Sequence, residues 1–355
     1  MLILIAAILA IVFLYFLFWP VAVKPVKWTA PKAPKAEGKY AVNHTLAAAE
    51  RLDVGGQGPE DVIFDAQGYL YSGLADGRIV RMMADGSELE TFAQTGGRPL
   101  GLAFDGAGNL IVADADEGLL AVDPQGIVNV LTDSFDGRKL ILTNHLDVAA
   151  DGTIYFSETS DRFALHDLAS EIIESGANGR LLAYDPQSGA TRLVVDKLHF
   201  ANGVAVSGDQ SYLLVVETDR YRVQRLWLAG PKAGEAEIFI KNLPGLPDNL
   251  HWNGRDTFWL ALIMPRIGIV DMLAESSFLR KMIYRLPDFL SPSPDQHGYV
   301  LGLNEDGEIL HNFQDPSGAF AETSGAIEHE GWLYVGSFSG NAIGRLALAG
   351  EAAQV

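Results

Sequence analysis

The chain has 355 residues, which exceeds one typical compact core, so either several domains or one large repeat fold is expected. It carries 26 basic and 45 acidic residues, and the resulting net charge of −19 excludes broad electrostatic binding to nucleic acid. A hydrophobic content of 48% excludes disorder, and the lack of cysteine excludes disulfides, thiolate metal sites and cysteine nucleophiles.

Residues 1–23 contain no charged side chain and predict an N-terminal transmembrane helix. A helix of that length spans roughly 34 Å at about 1.5 Å per residue, enough to cross a hydrocarbon core of about 30 Å. A cleaved signal peptide is the alternative, but no basic residue precedes the apolar run. Residues 24–40 are rich in proline and lysine and predict a semi-rigid stalk. Because these lysines all follow the span, the positive-inside rule alone would leave the large domain on the cytoplasmic side.

Residues 41–355 repeat a turn followed by a short β-rich run with apolar alternation. Six such units start at Asp65, Asp105, Asp151, Ser207, Asn253 and Glu330. A period of roughly 40 to 50 residues with this content is typical of a propeller blade, and an insertion over residues 263–299 explains the long last interval. We therefore predict an all-β fold, a six-bladed β-propeller. A β-sandwich followed by a second domain is the alternative, but it gives no reason for six similar units.

Two segments, near residues 162–175 and 269–290, show apolar residues at helical spacing and predict helical insertions in the propeller. Each helix either packs its apolar face on the propeller or forms a lid over the central channel. A lid near the membrane would bind a hydrophobic substrate.

A ring of polar residues is predicted at the propeller axis. Counting back eight residues from the turn of each unit gives Glu60, Leu100, Asn144, Asn202, Asp248 and Thr323, and Asn249 follows Asp248. This register corresponds to the inner end of the innermost strand, so carboxylate and amide oxygens would converge on the channel. Hard oxygen ligands suit Ca²⁺, whereas the lack of cysteine argues against zinc. Alternatively, these side chains only bond backbone amides around the channel.

Several motifs resemble the strictosidine synthase-like family of six-bladed propellers, including its branch of adipocyte plasma membrane-associated proteins. The resemblance covers about residues 20 to 349 and rests on Gly97-Arg98-Pro99-Leu100-Gly101, Asn202-Gly203-Val204, Pro244-Gly245-Leu246-Pro247-Asp248-Asn249 and Glu328-His329-Glu330-Gly331. It implies an N-terminal membrane anchor with the propeller on the non-cytoplasmic side, against the lysine bias.

The wider superfamily of paraoxonases, gluconolactonases and diisopropyl fluorophosphatase hydrolyses lactones, aryl esters or phosphotriesters at an axial Ca²⁺. By this resemblance the metal ligands here are Glu60, Asn144, Asn202, Asp248 and Asn249. Paraoxonases also hold a second, buried Ca²⁺ with aspartates beside two axial ligands. Asp61 matches one of those aspartates, but His145 stands at the position of the other.

The function expected from these residues is a membrane-anchored, calcium-dependent hydrolase of aryl esters or lactones with a small hydrophobic substrate. Asp248 is the first candidate for general base or nucleophile, Glu60 the second and His145 the third. A non-catalytic, membrane-tethered propeller that binds a partner protein or lipid is the alternative. A synthase of the strictosidine type is disfavoured, because Ser324 stands where that enzyme has its catalytic glutamate.

Overall fold

Tight turns organised by aspartate side chains connect the strands of the fold. The Oδ1 atom of Asp65 accepts from the backbone N–H groups of Gln67 and Tyr69, both at 2.9 Å. Gly68 closes that turn with φ +86°, a left-handed conformation that glycine adopts without a Cβ clash. Such short-range turns join antiparallel strands, and the computed structural model, which describes residues 1–287 and 296–348, contains six four-stranded antiparallel sheets.

The first strand along the chain, β1 (Glu50–Asp53), belongs to the last sheet. Blade 1 contains β2 (Val62–Phe64), β3 (Tyr69–Gly73), β4 (Arg78–Met83) and β5 (Glu90–Gln94). Blade 2 contains β6 (Pro99–Phe104), β7 (Leu110–Asp114), β8 (Gly118–Val122) and β9 (Val128–Thr132), and a hairpin of β10 (Ser134–Phe135) and β11 (Arg138–Lys139) follows it. Blade 3 contains β12 (Leu142–Val148), β13 (Ile154–Ser160), β14 (Gly179–Asp185) and β15 (Ala190–Leu198).

Blade 4 contains β16 (Ala201–Val206), β17 (Tyr212–Glu217), β18 (Arg222–Trp227) and β19 (Ala236–Lys241). Blade 5 contains β20 (Gly245–Trp252), β21 (Phe258–Pro265), β22 (Gly298–Leu303) and β23 (Ile309–Asp315). Blade 6 contains β24 (Thr323–His329), β25 (Trp332–Ser337) and β26 (Ala342–Ala347), and β1 completes it by pairing antiparallel with β26. This pairing closes the ring, because a strand that precedes blade 1 forms the outer edge of blade 6.

The first strands of neighbouring blades contact one another around the axis, as β12 contacts both β6 and β16. The core lies between blades, where both faces of the inner strands are buried. Between blades 2 and 3, for example, Ile111, Leu119, Phe156 and Leu182 form one fully buried cluster. The predicted six-bladed propeller is therefore confirmed, and the alternative of a β-sandwich with a second domain is wrong.

The N-terminal helix α1 covers Leu2–Phe18, a shorter stretch than the transmembrane helix predicted over residues 1–23. The helix ends because Trp19 precedes Pro20, which disfavours the helical conformation at the residue before it, and Trp19 has φ −59° and ψ 128°. Arg285 donates to the carbonyl oxygens of Phe16 and Trp19 at 2.8 and 2.9 Å and so binds the C-terminal end of α1. Across residues 1–287 and 296–348, no helix has both the length and the apolar character needed to cross a membrane.

Three short helices form a cap on one end of the propeller. They are α2 (Leu168–Glu174), α3 (Gly268–Leu273) and α4 (Ser277–Tyr284), and they match the two predicted insertions, with α3 beginning one residue before the second. Residues 288–290 of the second predicted insertion lie outside the described residues. Ser276 caps the N-terminus of α4, because its side chain accepts from the backbone N–H of Leu279.

Residues 22–32, which we call the strap, lie along the cap as an extended segment. The backbone N–H groups of Val26 and Trp28 donate to the carbonyl oxygens of Glu174 and Ala274, at 2.9 and 3.2 Å. The guanidinium of Arg220 lies 4.4 Å from the centre of the Trp28 ring. The first part of the segment predicted as a stalk is therefore bound to the cap, because its backbone groups have partners on α2 and beside α3.

Candidate metal centre

A cavity of about 270 Å³ lies on the axis between the blades and the cap. Four of the five predicted metal ligands line it, namely Glu60, Asn144, Asn202 and Asp248. Apolar side chains form much of the remaining wall, and those from the cap and the segment before it are Leu165, Leu168 and Ile172. Stretches of chain far apart in sequence therefore place carboxylate and amide oxygens at one enclosed site.

A repeated irregularity of the inner strands positions these residues. In blades 3, 4 and 5 the pairing of the first two strands shifts register at equivalent points, between Thr143 and Leu146, Ala201 and Val204, and Pro247 and Leu250. Such a bulge re-aims the side chains that lie in it. Asn144, Asn202 and Asp248 each occupy this bulge, so the same backbone device presents a polar side chain to the axis in three successive blades.

Two buried threonines determine how the amide groups are oriented. The hydroxyl of Thr159 donates to the carbonyl oxygen of Ala201 at 2.7 Å, so it can only accept from Nδ2 of Asn144, 2.9 Å away. In the next blade, the Thr218 hydroxyl donates to the carbonyl oxygen of Pro247 at 2.7 Å. It accepts from Nδ2 of Asn202 at 3.3 Å. Both amides therefore direct their NH₂ groups to a threonine, which leaves their oxygens for the axis.

Three oxygens of the residues that line the cavity are buried and lack hydrogen-bond partners among the described residues. They are Glu60 Oε2, Asn144 Oδ1 and Asn202 Oδ1, and Asn249 Oδ1, from the neighbour of Asp248, is also buried and unpaired. Leaving a buried polar atom unpaired costs about 1–3 kcal/mol, more for a charged group, so these oxygens are costly without a ligand. A hard divalent cation that takes oxygen ligands fits this donor set, and Ca²⁺ is such a cation.

Removing the two threonine hydroxyls is expected to weaken cation binding although neither threonine carries a predicted ligand atom. In the double variant Thr159→Val and Thr218→Val the amides lose the groups that orient them, so we expect a fall in calcium affinity of about 10- to 100-fold. Calcium titration by calorimetry measures the change. Thr191→Val, on outer strand β15 of blade 3, is the matched control, and an unchanged affinity in the double variant would contradict the proposed orientation.

The two axial carboxyl groups have raised pKa values. Burial raises the pKa of Asp248 to about 8, and the negative charge of Asp61 adds to the rise, while the hydrogen bond from Asn202 opposes it. Burial likewise raises the pKa of Glu60, and the charges of Asp248 and Asp61 add to it. Carboxyl groups that resist ionisation in a closed cavity are typical of sites where a cation or an acid–base reaction is accommodated.

The remaining predicted site residues lie just outside the cavity. Nδ2 of Asn249 donates to Glu60 Oε1 at 3.0 Å, so Asn249 orients an axial carboxylate. His145 is fully buried next to Asn144 and is not among the described residues that line the cavity. Its Nδ1 atom accepts from the backbone N–H of Val204 at 3.0 Å, an arrangement that favours a structural role over a catalytic one.

Sequence reasoning missed a third carboxylate in the cavity wall. Glu322 lines the cavity two residues before Ser324, and it accepts hydrogen bonds from Ser339 and from Gln296, the latter at 3.2 Å. Its backbone has φ +52°, which is unusual for a residue other than glycine and would have been invisible in the sequence. The hydroxyl of Ser324 donates to the backbone oxygen of Glu60 at 2.5 Å, so Ser324 supports an axial residue.

Comparisons with known proteins agree with the predicted resemblance. Residues 144–231 match the family described as strictosidine synthase, and residues 38–82 match the family described as strictosidine synthase-like, N-terminal. Adipocyte plasma membrane-associated protein from Rattus norvegicus is 32% identical over 352 residues, which cover 92% of this chain and 93% of that protein. Strictosidine synthase-like 13 from Arabidopsis thaliana is 35% identical over 295 residues, covering 74% of this chain and 73% of that protein.

Solved structures show the same fold at low identity. A gluconolactonase from Xanthomonas campestris superposes with a TM-score of 0.63 at 17% identity, over 86% of this chain and 93% of that one. The calcium-binding protein regucalcin from Agrobacterium tumefaciens superposes with a TM-score of 0.60 at 14% identity, over 84% and 93%. Since sequence relatives above 30% identity align with nearly the whole chain, this protein belongs to the strictosidine synthase-like family that includes adipocyte plasma membrane-associated protein.

Proposed function

We propose that this protein is a calcium-dependent hydrolase of apolar aryl esters or lactones. The observation that carries the proposal is the set of buried, unpartnered oxygens of Glu60, Asn144 and Asn202 in the wall of one cavity. Such a set suits Ca²⁺, and it lies at or beside the floor of a cavity large enough for a small ester. The fold shared with a gluconolactonase and with a calcium-binding propeller is compatible with the proposal.

Glu60, Asn144, Asn202 and Asp248 would hold the ion, with Asn249 orienting Glu60. When bound, Ca²⁺ supplies Lewis-acid polarisation of a substrate carbonyl oxygen. Asp248 is the candidate general base, because it lines the cavity and is held by Asn202. It would take one proton from a water molecule whose oxygen bonds to the carbonyl carbon, and that proton would pass to the departing alcohol or phenol oxygen. Glu60 is the second candidate for this role.

The cavity wall indicates the substrate class. Leu165, Leu168 and Ile172 face the axial oxygens from the cap side, and Phe200 and Phe338 line the same space. Apolar walls bind a hydrophobic acyl or aryl group and keep bulk water from the reacting carbonyl. A small hydrophobic ester or lactone therefore matches both the wall and the polar floor.

Hydrolysis of phenyl acetate and of a small lactone by the full-length protein tests the proposal. The whole chain is needed because the strap is hydrogen-bonded to the cap. A fragment that begins after the strap would lose these bonds. Activity is expected in calcium and is expected to disappear after complete chelation and return when calcium is restored. Hydrolysis that persists after chelation would eliminate the metal-dependent reaction. Bound calcium without any turnover would favour a binding propeller.

We propose further that α1 attaches the protein to a membrane, with the propeller on the non-cytoplasmic side. The helix has no charged residue, and large apolar side chains such as Ile3 and Leu9 are exposed on it, at 87% and 63%. A relative at 32% identity carries the name plasma membrane-associated protein. Sidedness is tested by protease accessibility of the propeller in sealed vesicles.

Introducing charge into α1 is expected to release the protein from membranes. Ile5→Lys with Leu9→Lys places two ammonium groups on an exposed apolar surface, which opposes burial in lipid. Flotation with liposomes should recover the natural chain with the vesicles and leave the variant in solution. Ile127→Lys with Val130→Lys, at exposed apolar positions in and beside the outer strand of blade 2, is the matched control. Equal flotation of the α1 variant and the natural chain would argue against α1 as the attachment.

A further inference from the structure

A second cluster of possible metal ligands lies directly beside the axial residues. It consists of Asp61, His145 and His251, whose ligand atoms all lie within 4.8 Å of one another. Asp61 and His145 are fully buried, and His251 Nε2 lies 2.7 Å from Asp61 Oδ1. One carboxylate and two imidazoles in such proximity are typical of a transition-metal site. The hydrogen bonds around the cluster decide whether a metal fits.

The tautomer of His145 is determined by its surroundings. The backbone N–H of Val204 donates to Nδ1 at 3.0 Å, and an amide N–H can only donate, so Nδ1 carries a lone pair. The proton of the neutral ring therefore sits on Nε2, which lies 3.5 Å from Asp61 Oδ2. A metal ion on Nε2 would have to displace that proton while Nδ1 stayed unprotonated, leaving an imidazolate. A neutral imidazole is the ordinary ligand form, so His145 does not fit as a metal ligand.

The carboxylate of Asp61 is also committed to hydrogen bonds. Its Oδ2 atom accepts from the backbone N–H of Leu102 at 2.9 Å, and its Oδ1 atom faces Nε2 of His251 at 2.7 Å. The rings of His145 and His251 pack edge to face, with centres 5.1 Å apart. His145 Nε2 has no hydrogen-bond partner among the described residues, but it carries the ring proton and so offers no lone pair to a cation. A cation between the three side chains would also break the Asp61–His251 hydrogen bond.

We infer that this cluster binds no metal, because the proton on His145 Nε2 and the hydrogen bonds of Asp61 exclude one, so that residues 1–287 and 296–348 hold a single cation, at the axial oxygens. The cluster links five blades, because Asp61 precedes β2, Leu102 lies on β6, His145 on β12, Val204 on β16 and His251 on β20. It thereby joins the inner strands at the level next to the axial ligands, as a bound ion would. This inference is independent of hydrolysis, since it concerns only which ions the folded chain holds.

Converting one histidine to aspartate is expected to create the missing site. His145→Asp removes the ring N–H and places a second carboxylate beside Asp61, and two adjacent buried carboxylates favour a hard cation. After equilibrium dialysis of the full-length protein against calcium, elemental analysis should find one calcium per natural chain and two per His145→Asp chain. His166→Asp, at an exposed position beside the cap, is the matched control and should keep one.

A measurement on the natural chain tests the inference even if the variant does not fold. Ring ¹⁵N chemical shifts of histidine-labelled protein should show His145 protonated at Nε2 and unprotonated at Nδ1, unchanged by added zinc. Two calcium ions per natural chain, a zinc-dependent shift of the His145 ring or a proton on its Nδ1 would each overturn the inference. A folded His145→Asp variant that still holds one calcium would also overturn it, because the histidine would then not be what excludes the second ion.

Discussion

Replacing Asp248 with asparagine is expected to lower calcium affinity by at least about 100-fold and to remove ester hydrolysis, because the site loses a charged ligand and its candidate base together. The amide has nearly the same shape as the carboxylate, so the cavity wall keeps its form. Calorimetric calcium titration and a phenyl acetate assay at saturating calcium measure the two losses separately. At saturating calcium the variant can still bind an ion, so the second assay shows whether turnover needs the carboxylate itself.

Asp105→Asn provides the matched control for that variant. Asp105 organises a surface turn of blade 2 by accepting from the N–H groups of Ala107 and Asn109, at 2.9 and 2.8 Å, which an asparagine oxygen can also accept. Both calcium affinity and hydrolysis should stay unchanged in this control. Normal calcium affinity in Asp248→Asn would mean that the axial oxygens are not the cation site.

Calcium is expected to stabilise the protein strongly and to change how its stability depends on pH. A ligand present at 1,000 times its Kd adds about 4 kcal/mol to the free energy of unfolding, which raises Tm by several degrees. Without calcium, burial raises the pKa of Asp248 to about 8 from the ordinary 3.8. Between these values the folded chain binds more protons than the unfolded chain, so its stability falls as pH rises.

Thermal melts between pH 5 and pH 8.5 test this prediction. In chelator, Tm should decrease through this window as Asp248 is forced to ionise in the buried site. In saturating calcium the decrease should flatten or reverse, since the ion favours the charged carboxylate and competes with the proton. Magnesium at equal concentration is a suitable control, because it demands a tighter octahedral site. Identical melts with and without calcium at all pH values would contradict an axial calcium site.

The propeller was predictable because its signals are local and repeated. Turn residues such as Asp65 and Gly68 act within a few positions, and six similar units indicate six blades. The closing strand β1 carried no such signal, because its role depends on a partner at the other end of the chain. The end of α1 differed from prediction for a local reason, the proline after Trp19, whereas the docking of the strap depends on the distant cap.

The repeat register placed Glu60, Asn144, Asn202 and Asp248 on one axis, and the structure brings these four to one cavity. Their detailed roles could not be predicted in the same way. The register predicts Leu100 and Thr323 at equivalent positions, and only the fold shows that Leu100 lines the cavity whereas Thr323 bonds the backbone of blade 5. Glu322, with its left-handed backbone, joined the cavity without any sequence signal.

By itself, the sequence determined the all-β repeat architecture, the family and the chemical types of the axial side chains, since these follow from patterns that recur along the chain. Only the tertiary structure decided how each group is oriented and protonated. The hydroxyls of Thr159 and Thr218 donate to backbone oxygens of the neighbouring blades, so they can only accept from the amide NH₂ groups. The amide oxygens of Asn144 and Asn202 therefore face the axis. Likewise, the backbone N–H of Val204 donates to Nδ1 of His145, so the ring proton is on Nε2. Hydrogen-bond donors and acceptors pair across space, between residues that are far apart in sequence, so no local pattern encodes their direction.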